Sequence, residues 1–250
     1  MEVHHHPHVE KKNFREYLLE GLMIFLAVTM GFFAESLREY FGDREKETHY
    51  MLSLAEDLKK DTQAIRYSIN RLETDLEAGH KLIVLAATNK LSGMSDPEIL
   101  RITRQTGLSA DIVFNDRTAF QLKSSGSIRL IRHKAIVDSI LQYWNNQIAT
   151  MQIHERFEST RTEQHKIAHK TFSWYKNYYF PRAMGADSSL VAAMPVKAIL
   201  HPENMDEFLN SCGNLFNLGH YQYLPILRKQ QDLATELIRL IQQEYHEEKN

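Results

Sequence analysis

The chain has 250 residues, 43% of them hydrophobic, a formal net charge of −2 and a single cysteine, Cys212. This is the composition of an ordered protein with enough apolar side chains for a core. It excludes a general nucleic-acid binder, which carries a strong basic excess, and leaves no internal disulfide and no cysteine-based zinc site.

Residues 1–16 read as a His-rich tail carrying His4, His5, His6 and His8. The next stretch, Tyr17–Leu37 (YLLEGLMIFLAVTMGFFAESL), has no charge between Gly21 and Ala34. A helix of about 20 residues crosses the hydrocarbon of a bilayer, so 17–37 is predicted to be a transmembrane helix. Two other readings compete: a signal peptide cleaved near Ala34-Glu35-Ser36, and a buried helix of a soluble protein. Glu20 and the bulky Phe32-Phe33 pair argue against the first. An apolar surface around most of the circumference argues against the second. At 100° per residue, Glu20, Ile24, Ala27, Gly31, Ala34 and Glu35 share one stripe, and Ala27-x-x-x-Gly31 is a small-xxx-small step. The expectation is that this stripe packs on another helix while the apolar side meets lipid. Glu20 and Glu35, about 22 Å apart, either reach the two interfaces or include one functional intramembrane carboxylate. Lys11, Lys12 and Arg15 outweigh Arg38 near the helix, which places the N-terminus in the cytoplasm and the rest of the chain in the periplasm.

From 38 to 90 the expected element is one long amphipathic helix, with Gly42 as a candidate bend. Met51, Ala55, Leu58, Thr62, Ile65, Ile69, Leu72, Leu76 and Ile83 follow a 4-3 rhythm. Charged residues such as Glu56, Asp57, Lys59, Lys60 and Asp61 fill the positions between. The seam suits either a coiled coil between protomers or packing inside one bundle, the second being favoured. Ser95 reads as the N-cap of a short helix ending near Gln105, with Pro97 and Glu98 in its first turn. Asn115 or Asp116 caps the next, and Ser124–Ser127 interrupts it. Helical spacing resumes at Ile128 and continues to about Tyr178, with Val137, Ile140, Leu141, Trp144, Ile148 and Met151 on its apolar face. Residues 181–202 read as loop, 203–212 as a short helix and 224–247 as a last helix burying Leu233, Leu237, Ile238 and Ile241. No period-2 strand is evident. The fold class is therefore all-α: one N-terminal transmembrane helix, then a long-helix bundle or coiled-coil domain, with 91–250 as its helical soluble part.

The chemistry is sparse. The four tail histidines are weak metal candidates without a rigid surrounding, and no cofactor is expected. His165 and His169 stand at i, i+4, but Lys166 between them opposes a cation and the zincin glutamate is missing. Arg117, Lys123, Arg129 and Arg132, with Lys134, form an acid-free run that suits an anion or an acidic partner, unless carboxylates within the bundle neutralise it. Phe172–Phe180 is dense in aromatics, as in a pocket, a partner surface or a buried cap. No catalytic motif is present, so an enzyme is not expected.

Three blocks carry a resemblance: residues 1–40, EDLKKDTQAI from Glu56, and FNDRTAFQLKSSGSIRLIRHKAIVDSI from Phe114. Together they resemble a family of single-pass membrane proteins of Bacteroidota, a domain of unknown function. The resemblance implies a bacterial inner-membrane protein with a helical soluble region, and implies no activity. It singles out Glu20, Gly31, Glu35, Asn115, Asp116 and Arg117 for mutagenesis. The functional expectation is a structural or interaction protein whose helical domain is an assembly platform. Its partners would be the lipid bilayer and either further copies of itself or other membrane subunits, without nucleic acid. The alternatives are an accessory subunit of a proton-driven or transport complex that uses an intramembrane glutamate, and, more weakly, a sensor.

Overall fold

The structure is a computed structural model and describes residues 13–108, 111–172 and 199–246. The fold is all-α. Helix α1 runs Phe14–Ala87 and is followed by α2 (Asp96–Thr103), α3 (Arg117–Ser124), α4 (Lys134–Thr171), α5 (Met205–Leu218) and α6 (Leu224–His246). Single 3-10 turns lie at Leu91–Gly93, Ser127–Leu130 and Pro202–Asn204, and a π-helical turn, Gly219–Tyr223, joins α5 to α6. Among the described residues the only extended pairing is an isolated bridge between Phe172 and Ile199. The chain divides into two compact units, Met1–Tyr50 and Met51–Asn250.

In the first unit every described side chain from Asn13 to Phe41 is exposed, including Phe25, Phe32 and Phe33. Leu, Met, Ala and Glu recur through this stretch and favour helix. The helix runs without interruption through Gly31 and Gly42, so the candidate bend at Gly42 is not a break. Ion pairs at i, i+3 stitch its charged turns: Glu35 with Arg38 at 2.5 Å, Asp43 with Lys46 at 3.2 Å, and Arg44 with Glu47.

In the second unit the 4-3 seam of α1 is consumed within the chain. Met51, Ala55, Leu58, Ile65, Ile69, Leu72 and Leu76 are all buried. One core cluster gathers Ile65, Leu72 and Leu76 with Ile112, Phe157, Leu215, Tyr223 and Leu227; a second gathers Leu82 with Ile102, Ala168, Phe172, Phe208 and Cys212. Burial of apolar area drives this association whichever chain supplies the partner. For Ile65, Ile69, Leu72 and Leu76, residues of α4, α5 and α6 help supply it, so these positions are not available to an intermolecular coiled coil. Gly219 opens the π-turn where the backbone comes so close to Leu76 that a Cβ there would collide with its methyl groups.

The capping box expected at Ser95 and Glu98 is present: Ser95 N and Oγ donate to Glu98 Oε2 at 3.1 and 2.7 Å. The apolar face read for α4 needs correction. Ile140 and Trp144 are buried, but Leu141 and Ile148 are exposed, and the inward face is instead Ile136, Ile140, Tyr143, Trp144, Thr150 and Phe157. The physical reason is a polar contact that apolar spacing does not register. Asn146 is buried and donates from Nδ2 to Gln230 Oε1 of α6 at 2.6 Å, while Gln230 Nε2 donates to the Tyr143 carbonyl at 3.3 Å. Satisfying buried amides in this way fixes the rotation of α4 as firmly as leucine packing does. Helix α6 buries Leu227, Ala234, Leu237, Ile241 and Tyr245, while Leu233 and Ile238 are half-buried at the edge of that face. Helix α4 ends at Thr171; the part expected to reach Tyr178, the aromatics beyond Phe172 and the loop 181–198 lie outside the described residues.

Candidate functional site

Beside its apolar seam, α1 carries a buried polar row: Asp57, Asp61, Ser68 and Asp75. The last three are seven residues apart, which returns them to one face of the helix. Each meets the irregular segment leading into α3. Gly107 N–H donates to Asp75 Oδ1. Ser68 Oγ donates to the Asp111 carbonyl at 2.8 Å. Asn115 N–H donates to Asp61 Oδ1 at 2.7 Å. Thr118 donates to Asp57 Oδ2 from its hydroxyl at 2.6 Å and from its backbone at 3.2 Å. From Gly107 through Asp111 and Asn115 to Thr118 the described residues meet α1 partners that run backward from Asp75 to Asp57. The requirement that buried backbone groups be satisfied explains why four small polar side chains occupy a helix face that would otherwise be apolar.

This arrangement revises the sequence reading. Asp57 and Asp61 are not solvated residues between seam positions. They are buried acceptors, and they join two of the three blocks that carried the family resemblance. Asp116 occupies the N-cap position of α3 without making a side-chain cap bond; Asp57 of α1 receives the Thr118 N–H instead. A carboxylate at that end also suits the helix dipole. Tyr143 Oη donates to Asp61 Oδ2 at 2.5 Å. Burial raises the Asp61 carboxyl above its ordinary range despite these donors, and burial together with the Asp61 charge raises the Tyr143 phenol. Asp61→Ala leaves the Tyr143 hydroxyl and the Asn115 N–H without their acceptor, and is expected to destabilise the chain by about 2–4 kcal/mol. Denaturant titration of the full chain in detergent reads this directly. Lys59→Ala, which removes only the exposed Lys59–Glu56 pair, should stay within about 0.5 kcal/mol of the parent.

Around Asp75 the polar groups are more deeply sequestered. Its Oδ2 and the Oε1 of Gln164 are buried without a hydrogen-bond partner. Thr106 Oγ1 donates to the Thr103 carbonyl at 2.8 Å, so it accepts from Gln164 Nε2 at 3.1 Å, and this fixes the orientation of the Gln164 amide. The Gly107 carbonyl accepts from His165 Nε2 at 2.7 Å and from Arg161 Nη1 at 3.4 Å. Because a carbonyl only accepts, His165 carries its proton on Nε2. Burial lowers the His165 pKa and keeps the ring neutral. Burial likewise pushes the Asp75 carboxyl up to about 7, against the pull of the Gly107 N–H and Arg161, and the Cys212 thiol up to about 12.

Earlier in α4, His154 and Glu158 stand at i, i+4, and the Asp111 side chain reaches toward them. Tyr223 Oη, buried at the end of the π-turn, meets His154 Nδ1 at 2.8 Å. Glu158 Oε2 is held by Arg161, at 2.8 Å from Nε, while Glu158 Oε1 is buried without a hydrogen-bond partner. Burial, together with the nearby charges of Glu158 and Asp111, raises the Tyr223 phenol. Single π-turns within α-helices often mark functional sites. No sequence motif marked this group, whose members come from three elements and are not adjacent in the chain.

The residues expected from sequence are placed as follows. Glu20, Ile24, Ala27, Gly31, Ala34 and Glu35 all lie on the exposed part of α1, and Glu35 pairs with Arg38 of the next turn. In the basic run, Arg117 Nη2 reaches Asp57 at 3.4 Å and Lys123 Nζ sits 4.0 Å over the Trp144 ring, beside a groove of about 390 Å³ lined by Asp116, Phe120, Ile148 and Met151. Arg129 and Arg132 are exposed on the segment after α3. Arg117 and Lys123 are thus engaged by the protein itself. His165 is committed to the Gly107 carbonyl, and His169 is exposed. The histidines His4, His5, His6 and His8 lie outside the described residues. Comparison with protein-family models, curated proteins and solved structures finds no match to this chain.

Proposed function

We propose that the protein is a membrane-anchored interaction protein of a bacterial inner membrane, held by residues 17–37, with the helical unit from Met51 serving as an assembly platform on the periplasmic side. One observation carries this reading. Helix α1 is long and apolar enough to cross a membrane, and its apolar window is entirely unburied. The core helix of a soluble protein buries such a surface, because leaving that much apolar area in water is costly. At 1.5 Å per residue, 17–37 spans about 31 Å, the hydrocarbon thickness, with Tyr17 and Tyr40 near its two ends where interfacial aromatics belong. Ala34-Glu35-Ser36 lies in the middle of a helix that continues to Ala87, which supports retention of the anchor over cleavage. The stripe from Glu20 to Glu35 is the face for a neighbouring helix. The proton-driven alternative depends on a glutamate in that stripe, and the local pairing of Glu35 with Arg38 favours the interaction role.

The test is fractionation followed by crosslinking in native membranes. The chain should resist alkaline extraction, should crosslink into a defined oligomer or to a partner, and should lose that product on Gly31→Leu. A chain that is freely soluble without detergent, or that begins after Ser36 when purified, overturns the anchor. Exclusively monomeric crosslinking, unchanged by Gly31→Leu, overturns the interaction role.

A further inference from the structure

We propose that Asp111, His154 and Glu158 form a binding site for a divalent first-row transition cation of the zinc and manganese class. Their ligand atoms all lie within 4.8 Å of one another. Binding at about 2.0–2.2 Å from each donor asks for closer approach than that, and the exposed Asp111 side chain has the freedom to supply it. Each residue is anchored by a group that leaves donor capacity over. Ser68, fully buried on α1, holds the Asp111 backbone carbonyl and leaves the carboxylate unused by that bond. Tyr223 holds one ring nitrogen of His154 and leaves the other. Arg161 takes Glu158 Oε2 and leaves Oε1, which is shut off from water and has no donor. A desolvated carboxylate oxygen without a donor is rare in a folded protein, and a cation is the partner it lacks. The i, i+4 spacing of His154 and Glu158 puts both on one face of α4, as in helical metal sites.

The donor set decides the class. One imidazole with two carboxylates favours zinc, manganese or iron over calcium and magnesium, which prefer oxygen alone. Two carboxylates, one neutral imidazole and the Arg161 guanidinium sum to about −1, so a divalent ion is attracted and not fully neutralised. The supporting groups, Ser68, Tyr223 and Arg161, come from three helical elements and hold the three residues before any ion arrives.

The tail histidines would also take up transition metals, so the experiment removes them first. In the full chain with His4, His5, His6 and His8 changed to Ala, purified in detergent and stripped with chelator, Zn²⁺ titration by calorimetry should show one saturable site per chain. Co²⁺ should give the visible absorption of a bound, low-symmetry ion. Glu158→Gln and His154→Ala should each weaken Zn²⁺ binding at least tenfold. Asp111→Asn changes only an exposed side chain and so spares the fold, which circular dichroism verifies; it should weaken binding several-fold. His169→Ala should change nothing. Binding that vanishes with the tail histidines, or that is unaltered by both Glu158→Gln and Asp111→Asn, overturns the proposal.

Discussion

Asp75→Asn should make this protein more stable at pH 8 than the parent, by about 3–4 kcal/mol. Asp75 is buried, accepts the Gly107 N–H at Oδ1 with the Leu108 N–H also acting on the carboxylate, and has an Oδ2 with no hydrogen-bond partner. Its carboxyl sits at about 7 in the folded chain against 3.8 for an ordinary aspartate. The folded state therefore holds a proton that the unfolded state releases between about pH 4 and pH 7. Stability from this group is fully present below pH 4, declines as pH rises, and is gone once the folded carboxyl ionises above about 7. Three pH units at 1.36 kcal/mol each set the magnitude. Asparagine keeps an acceptor for Gly107 and has no charge to bury. Denaturant midpoints of parent and variant, measured in detergent from pH 4 to pH 8, should coincide within about 1 kcal/mol at the acid end and diverge toward pH 8. A variant less stable than the parent at pH 8 would show that the ionised carboxylate is the form the fold requires.

Gly107→Ala should act in the opposite direction, at a cost of about 2–5 kcal/mol. Two causes add. Gly107 has φ +69°, and a side chain in that left-handed region costs about 1–2 kcal/mol. A Cβ there would also drive into the His165 ring and the Gln164 amide, and overpacking of this kind costs typically 1–3 kcal/mol. Gly126 separates the two. It has φ +65°, but no atom stands within 4 Å of its would-be Cβ, so Gly126→Ala should carry the backbone cost alone. Equal midpoints for the two variants would mean that the segment around Gly107 moves aside freely and that the contacts with Asp75 and His165 do not hold it.

These two residues also mark the boundary of what sequence reading reaches. Local signals were legible: the capping box at Ser95, the Ser124–Ser127 interruption, the start of the last helix and the buried 4-3 seam all depend on residues within a turn or two of one another. The inward face of α4 was misread because Leu141 and Ile148 are apolar but exposed, while Asn146 and Thr150 are polar but buried. Apolar spacing registers transfer out of water; it does not register a hydrogen bond to a residue 84 positions away, such as Asn146 with Gln230. The Asp57–Asp75 row was hidden for the same reason. Its seven-residue recurrence was available as a clue, but a charged residue on a helix is by default a solvated one.

Sequence alone determined that the chain is helical and that its N-terminal helix carries a bilayer-length apolar surface, because helix propensity and hydrophobic length are properties of contiguous residues. Tertiary structure decided where the polar chemistry lies. Asp75 meets Gly107, and Asp111 meets His154 and Glu158, only after α1 and α4 bury their seams and the segment between α2 and α3 is drawn along α1. The strength of a buried polar contact depends on how completely water is removed around it, and that is settled by the packing of every element together.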